Sequence, residues 1–166
     1  MDIKIERLKK EDIEKTKEFL FGIIKDDFGY EFNPVWHKDI TDLESLYLEN
    51  ENSNFLVAKI ENEIVGTIAV RPYDKDYPEF KDKYSADNTI SIWRHYIKKE
   101  LRGQRIGSRL LSKIEKFSKE KGFKYTYLHT QRTIPWSAQY WQLKGFKITY
   151  EPGDELQTVH MEKVIT

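Results

Sequence analysis

The stretch RHYIKKELRGQRIGSRLLSKIEKF, residues 94–117, contains the end of a strand, a loop with two glycines and the start of an amphipathic helix. Because Gly103 and Gly107 have no Cβ, the backbone can turn sharply there and a ligand can approach its N–H groups closely. The first N–H groups of a helix lack internal partners and carry the positive end of its dipole. The joint therefore predicts a site for an anion, best suited to a phosphate or pyrophosphate.

The helix behind this joint, predicted over residues 105–121, is strongly basic. Between Arg102 and Lys124 there are eight basic residues and two acidic ones, in a chain with no net charge. Its apolar stripe is continuous: Ile106, Leu110, Leu111, Ile114 and Phe117. Ordinary turn glycines and a solvated helix face are the alternative explanation. The P-loop spacing and the pattern G-x-G-x-x-G are both absent, which argues against a nucleoside triphosphate or NAD site.

The rest of the chain alternates between strand and helix patterns. Strands are predicted at residues 2–8, 54–60, 64–70, 89–97, 125–130, 146–150 and 156–164, and helices at residues 11–26, 34–48, 105–121 and 135–144. This order predicts one α/β (α+β) domain over residues 1–166, a sheet of about seven strands flanked by about four helices. In the second helix, Asn33 is the expected cap, and the residues expected on one side are Trp36, Ile40, Leu43 and Tyr47.

Composition excludes several classes of protein. Lys+Arg and Asp+Glu are both 28, so overall charge does not indicate a nucleic acid or an anionic membrane as a partner. The chain has no cysteine, which excludes disulfides, zinc–thiolate sites and a thiol nucleophile. No apolar run approaches the roughly 20 residues that span a bilayer. We therefore expect a soluble, cytoplasmic protein.

Residues 96–111, YIKKELRGQRIGSRLL, resemble the cofactor motif R/Q-x-x-G-x-G/A of the GNAT superfamily of N-acetyltransferases. Arg102 takes the first position and Gly107 the last, while Arg105 stands where the middle glycine usually is. That departure costs little if Arg105 already has helical angles, which need no positive φ. The segments YLHT and AQYWQLKGF, residues 127–130 and 138–146, resemble the later motif of the family. The resemblance covers nearly the whole chain in the same element order.

The resemblance implies a mixed, strongly twisted GNAT-like sheet and acetyl-CoA as co-substrate, with no metal. The pantetheine would pair with the strand edge at His95, Tyr96 and Ile97, and the pyrophosphate would take the backbone N–H groups of the loop. The residues implied to bind the cofactor are His95, Tyr96, Ile97, Arg102, Gly103, Gln104, Arg105, Ile106, Gly107, Ser108 and Trp141. The resemblance also implies transfer by direct attack of an amine on the thioester.

The sequence departs from the family at the positions that often supply the catalytic acid and base. Trp141 stands where a tyrosine often donates a proton to the leaving thiolate, and an indole N–H cannot act as an acid. Tyr140 is the neighbouring candidate, although one residue is about 100° around a helix. His95 and His129 are the candidate bases because histidine titrates near neutral pH. Water alone is the alternative.

The acceptor is expected to be the primary amine of a small molecule or a peptide. The helices at residues 11–48 and the loop at residues 72–88 carry aromatic and acidic side chains that suit a cationic amine: Asp26, Asp27, Tyr30, Glu31, Tyr73, Asp74, Asp76, Tyr77 and Glu79. A solvated loop with a few packed rings is the alternative. The resemblance also allows a homodimer, and neither nucleic acid nor membrane is expected as a partner. A non-catalytic acyl-CoA-binding module is the alternative function.

Overall fold

In a computed structural model, which describes residues 2–166, the chain forms seven strands and four α-helices in the predicted order. The strands are β1 (Lys4–Arg7), β2 (Asn54–Ile60), β3 (Glu63–Pro72), β4 (Thr89–Ile97), β5 (Tyr125–Gln131), β6 (Lys147–Tyr150) and β7 (Thr158–Val164). The helices are α1 (Ile13–Asp26), α2 (Lys38–Thr41), α3 (Ile106–Glu120) and α4 (Ser137–Leu143). Both the fold class and the order of elements are confirmed.

The strands form one mixed sheet in the order β1-β2-β3-β4-β5-β7-β6. β2 and β3 form the antiparallel hairpin that their alternating patterns predict. β4 pairs with β5 in parallel, from Thr89 with Tyr125 to Ser91 with Tyr127. Within residues 2–166, no helix is both long enough and apolar enough to cross a bilayer.

The prediction of a helix over residues 34–48 is wrong in its first half. Residues 34–37 form turns, α2 has four residues, and a π-helical segment follows at Glu44–Leu48. Asn33 does not cap a helix, because the N-cap of α2 is His37, but its Oδ1 accepts the N–H groups of Val35 and Trp36 in the preceding turn at 2.9 and 3.0 Å. The Trp36 carbonyl accepts a hydrogen bond from the Arg94 side chain at 3.0 Å, and Trp36 is 60% exposed, unlike the other three residues predicted to lie on its side. Ile40, Leu43 and Tyr47, which were predicted to lie on one side, are all fully buried.

The chain divides into two compact units. The first contains the described residues up to Arg71 together with Trp93–Phe117. Its core joins one face of β2 and β3 to α1, α2 and the π-helical segment. The buried residues of this core, called core 1 below, are Leu8, Ile13, Leu20, Ile24, Ile40, Leu43, Tyr47, Phe55, Val57, Ile64 and Ala69.

The second unit contains Pro72–Ile92 and Ser118–Thr166, and its core is aromatic. Tyr73, Phe80 and Tyr84 of the polar loop are buried against Tyr127 of β5. The Tyr73 ring meets the rings of Tyr84 and Tyr127 edge to face at 5.4 and 5.3 Å. This loop therefore uses its rings for packing, and the alternative given above, a loop with packed rings, describes it better than an acceptor surface does.

Candidate active site

The predicted anion site lies where β4 leads into α3. β4 ends at Ile97, a single 3₁₀ turn follows at Lys99–Leu101, and α3 begins at Ile106. Gly103 has a φ of +82°, a left-handed conformation that glycine adopts readily. A Cβ placed on Gly103 would meet nothing within 4 Å, so the space in front of this backbone is open to a ligand.

The expectation that Arg105, at the middle position of the motif, has helical backbone angles is wrong. Its φ is +67°, so the residue is left-handed and not yet helical, and α3 begins one residue later. A glycine would suit this position, and an arginine there stores backbone strain of about 1–2 kcal/mol. The carbonyl of Arg105 nevertheless starts the helix, because it accepts the N–H of Arg109 at 3.0 Å.

The surroundings of the loop suit an anion with several oxygens. Arg102, Gly103, Gln104 and Arg105 are all exposed, while Ile106 is buried and fixes the helix end. α3 is 15 residues long, so its first turn carries the positive end of a full helix dipole. Backbone N–H groups and guanidinium groups are the donors that bind a pyrophosphate, so the donor set fits this part of acetyl-CoA.

Arg102 connects the loop to the end of β4 and to α1. Its Nε donates to the Ile97 carbonyl at 3.0 Å, and its Nη2 forms an ion pair with Asp27. Asp27 directly follows α1 and is its C-cap. Arg102, the first residue of the motif, therefore links the end of β4 and the loop to the end of α1.

Gly66 on β3 lets the strand end pack closely against α3. A Cβ on Gly66 would lie 3.0 Å from Ile97 Cδ1, 3.3 Å from Leu110 Cδ1 and 3.4 Å from Ile106 Cγ2. Sequence reasoning did not single out this glycine. Its only signal was a glycine inside an otherwise apolar strand, which often marks a close approach of neighbouring groups.

β4 is kinked at Arg94, in the middle of the strand. Arg94 has a φ of +49°, a left-handed conformation that costs about 1–3 kcal/mol in a residue other than glycine. Simple alternation would place Trp93 and Tyr96 on opposite faces. Both pack against core 1, because the kink reverses the alternation.

His95 follows the kink and is half-buried. Its Nδ1 lies 3.2 Å from the Thr67 carbonyl oxygen, which can only accept a hydrogen bond. In the neutral ring Nδ1 then carries the proton, and Nε2 is the nitrogen with the lone pair. This is the tautomer that a general base at Nε2 requires.

The other catalytic candidates lie in the second unit. His129 of β5 is half-buried and stands opposite His160 of β7, with their rings 6.1 Å apart. On α4, the rings of Tyr140 and Trp141 meet edge to face at 5.0 Å. Trp141 is 7% exposed and packs on Phe146 at 5.2 Å, while Tyr140 is half-buried.

The first unit thus brings together nearly all the residues predicted to bind the cofactor. Residues 95–97 and 102–108 all belong to it, and the Arg102 side chain joins the two segments. His129, Tyr140 and Trp141 belong to the second unit. Sequence reasoning missed Asp39, whose carboxylate is 5% exposed and paired with Arg94. The signals available were an acidic residue beside apolar Ile40 and an arginine inside an apolar strand.

Comparisons with known proteins agree with this architecture. The profile described as "Acetyltransferase (GNAT) family" matches residues 17–146. A GNAT-family acetyltransferase from Staphylococcus aureus Mu50 superposes with a TM-score of 0.81 at 22% identity, covering 99% of this chain and 100% of that one. PaiA N-acetyltransferase from Thermoplasma acidophilum, in complex with coenzyme A, superposes with a TM-score of 0.72 at 22% identity, covering 99% of each chain.

Curated relatives are similar over a part of their length. "Probable N-acetyltransferase camello" of Xenopus laevis is 25% identical over 127 residues, which is 76% of this chain and 53% of the relative. "N-acetyltransferase 8" of Homo sapiens is 30% identical over 112 residues, which is 67% of this chain and 46% of the relative. The chain therefore spans about half the length of the curated relatives that it matches.

Proposed function

The chain belongs to the GNAT family of acetyltransferases, and we propose that it transfers an acetyl group from acetyl-CoA to the primary amine of a small molecule or a peptide. The observation that carries this proposal is the joint between β4 and α3. It combines a left-handed, open Gly103, exposed arginines and the N-terminus of a 15-residue helix. These features supply the donors that an anionic cofactor needs at the position where the family motif lies.

The residues proposed to hold acetyl-CoA divide by what they contact. The backbone N–H groups of residues 103–108 would take the pyrophosphate, with Arg102 and Arg105 adding positive charge. The backbone of His95, Tyr96 and Ile97 would align the pantetheine. Trp141 stays a proposed contact of the cofactor. The acetyl-CoA itself supplies the activated acetyl group as a thioester.

The proton transfers are assigned to three side chains as hypotheses. The amine must lose a proton before it attacks, and His95 is the first candidate because its Nδ1 is engaged by the Thr67 carbonyl. His129 is the second candidate. Tyr140 is the proposed proton donor to the leaving thiolate, since Trp141 has no acidic proton to give.

The acceptor side of the first unit supports an amine that carries an apolar substituent. Phe32, Val35 and Trp36, between α1 and α2, are 56%, 80% and 60% exposed. The Arg94 side chain holds this segment against β4 through the Trp36 carbonyl. Exposed apolar side chains at a fixed position suit contact with a ligand. The aromatic residues of the 72–88 loop are not included, because most of them pack in the aromatic core.

Release of thiol from acetyl-CoA across a panel of amines tests the function. The panel pairs amines of equal charge with and without an aromatic or branched substituent. We expect thiol release that depends on the amine and is faster with the apolar member of each pair. Binding of acetyl-CoA without thiol release for any amine would contradict catalysis and indicate an acyl-CoA-binding module. Turnover without preference within the pairs would contradict the role given to Phe32, Val35 and Trp36.

A further inference from the structure

The kink at Arg94 is held by a buried ion pair that reaches across the first unit. Arg94 Nη2 and Nε donate to Oδ1 and Oδ2 of Asp39 at 2.6 and 3.0 Å. The guanidinium also donates to the Trp36 carbonyl at 3.0 Å and to the Tyr96 hydroxyl at 3.1 Å. A two-point guanidinium–carboxylate pair is among the strongest and most directional polar contacts in proteins. Four hydrogen bonds therefore fix the side chain of the one left-handed residue that β4 contains.

Asp39 is itself held as a carboxylate. Its Oδ2 accepts the Tyr47 hydroxyl at 2.9 Å and lies 3.9 Å from Arg71 Nη1. Burial by itself would raise the pKa of Asp39, but hydrogen bonds and positive charge from Arg94 outweigh it and hold the pKa below its usual value. The Arg71 guanidinium stacks on the Trp93 ring at 4.0 Å, so the residue before the kink is packed against the same network.

The kink decides how the next residues are presented. A one-residue change in a strand moves every later side chain to the opposite face. Without the left-handed angle at Arg94, Tyr96 would leave core 1, and His95 and Ile97 would both move to the opposite face of the strand. Thr67 on β3 also fits the kinked form, because its Oγ1 donates to the Arg94 carbonyl at 2.7 Å. The backbone preference of arginine does not favour this angle, so the contacts of the Arg94 side chain and carbonyl must stabilise it.

We propose that Asp39 is a positioning residue for the cofactor-binding strand, acting through Arg94 to hold the left-handed kink that orients His95, Tyr96 and Ile97. This proposal rests on the proposed function, because it assigns those three residues to acetyl-CoA. Asp39 itself need not touch the cofactor or the acceptor. Its contribution is to keep the strand edge in the conformation that binds the pantetheine.

The test compares Asp39→Asn with Lys59→Met. Lys59 forms a buried ion pair of the same kind in the same unit, with Asp12 at 2.5 Å and Glu6 at 2.8 Å. Both variants should lower the stability to urea. Asp39→Asn should also weaken coenzyme A binding by about tenfold in calorimetry, whereas Lys59→Met should bind coenzyme A as the wild type does. Equal, unchanged affinities in both variants would overturn the proposal and leave Asp39 a purely structural residue.

A backbone comparison separates the kink from the loss of charge. In the Asp39→Asn background, Arg94→Gly and Arg94→Ala both remove the guanidinium, but glycine alone adopts a positive φ without strain. The glycine variant should therefore bind coenzyme A more tightly than the alanine variant. Equal affinities of these two variants would contradict the proposal. If Asp39→Asn does not fold, Arg94→Lys takes its place, since it keeps the charge and loses the two-point pairing.

A readout without cofactor keeps this proposal distinct from the proposed function. Backbone chemical shifts of residues 94–97 report the sign of φ in the ligand-free protein. Asp39→Asn should shift them away from the left-handed pattern, and Lys59→Met should not. Unchanged shifts in Asp39→Asn would overturn the positioning role. If the wild type keeps the kink but does not bind coenzyme A, the proposed function is contradicted. The conclusion that Asp39 stabilises the left-handed conformation of Arg94 would still stand.

Discussion

Gly66 of β3 lies directly against Ile97 of β4, where a Cβ on the glycine would be 3.0 Å from the isoleucine Cδ1. The same Cβ would lie 3.3 Å from Leu110 and 3.4 Å from Ile106, both on α3. The end of β4, the strand proposed to bind the cofactor, and α3 therefore share one tightly packed point. Because the contact is so close, substitution of Gly66 tests how tightly the end of β4 packs against β3 and α3.

Gly66→Ala should destabilise the protein by about 1–3 kcal/mol, because the added methyl overfills a packed site. The matched control is Gly22→Ala in α1, where a Cβ would meet nothing within 4 Å. That change should be neutral or stabilising by up to about 1 kcal/mol, since alanine favours a helix. Urea unfolding measures both. A Gly66→Ala variant as stable as Gly22→Ala would show that Ile97 can move away freely.

Arg105→Gly should stabilise the fold relative to Arg105→Ala by about 1 kcal/mol. Both variants remove the same charged side chain, but only glycine accepts the φ of +67° without strain. The comparison is made by urea unfolding without cofactor, so that effects of charge on binding do not enter. Equal stability of the two variants would mean that the backbone of residue 105 is not held in the left-handed conformation.

The sequence predicted those parts of the fold that depend on neighbouring residues alone. β2 and β4 coincide with the predicted ranges, and α3 agrees within one residue at each end. These elements have strong hydrophobic periodicity, and Gly103 and Gly107 mark the loop that follows β4. The glycines and arginines of the loop between β4 and α3 predict an anion site there without any tertiary contact.

The features that were missed or wrong depend on contacts between distant segments. The kink in β4 exists because Arg94 finds Asp39, which is 55 residues away. Trp36 is exposed because its carbonyl bonds Arg94 instead of continuing a helix. Arg105 takes a glycine-like angle although its own preference opposes it. In each case a tertiary contact or the loop geometry overrides the local propensity.

The free energy of unfolding should fall as the pH is lowered from 7 to 5.5. Burial lowers the pKa of His160 below its ordinary 6.5, and burial with the charge of Arg94 does the same to His37. The unfolded chain then binds protons that the folded chain does not, so stability is lost as the pH drops through that range.

His160→Gln should make this pH dependence shallower, whatever its effect on absolute stability. The carboxylates of Glu6 and Asp39 do not interfere in this range, because the pKa of Glu6 is lowered to about 2 and that of Asp39 is also lowered, so their contributions are lost only in more acidic solution. Urea unfolding at several pH values gives the slopes. A slope that His160→Gln leaves unchanged would exclude His160 as a source of the dependence.

If a histidine is the general base, the rate at saturating acetyl-CoA should rise with pH through a single titration. That titration should move or vanish in either His95→Gln or His129→Gln and persist in the other. His95 is the stronger candidate, because its Nδ1 is bonded to the Thr67 carbonyl. A titration that ignores both substitutions and follows the pKa of each amine substrate would assign the step to water.

The central claim is that the joint between β4 and α3 binds acetyl-CoA, and calorimetry of coenzyme A binding tests it most directly. Gly107→Val places a side chain in the first turn of α3, where the pyrophosphate is proposed to meet the backbone. Gly22→Val is the matched control, a half-buried helical glycine of α1 in the same unit. We predict that the wild type and Gly22→Val bind coenzyme A and that Gly107→Val does not. Unchanged affinity in a folded Gly107→Val variant would contradict the account.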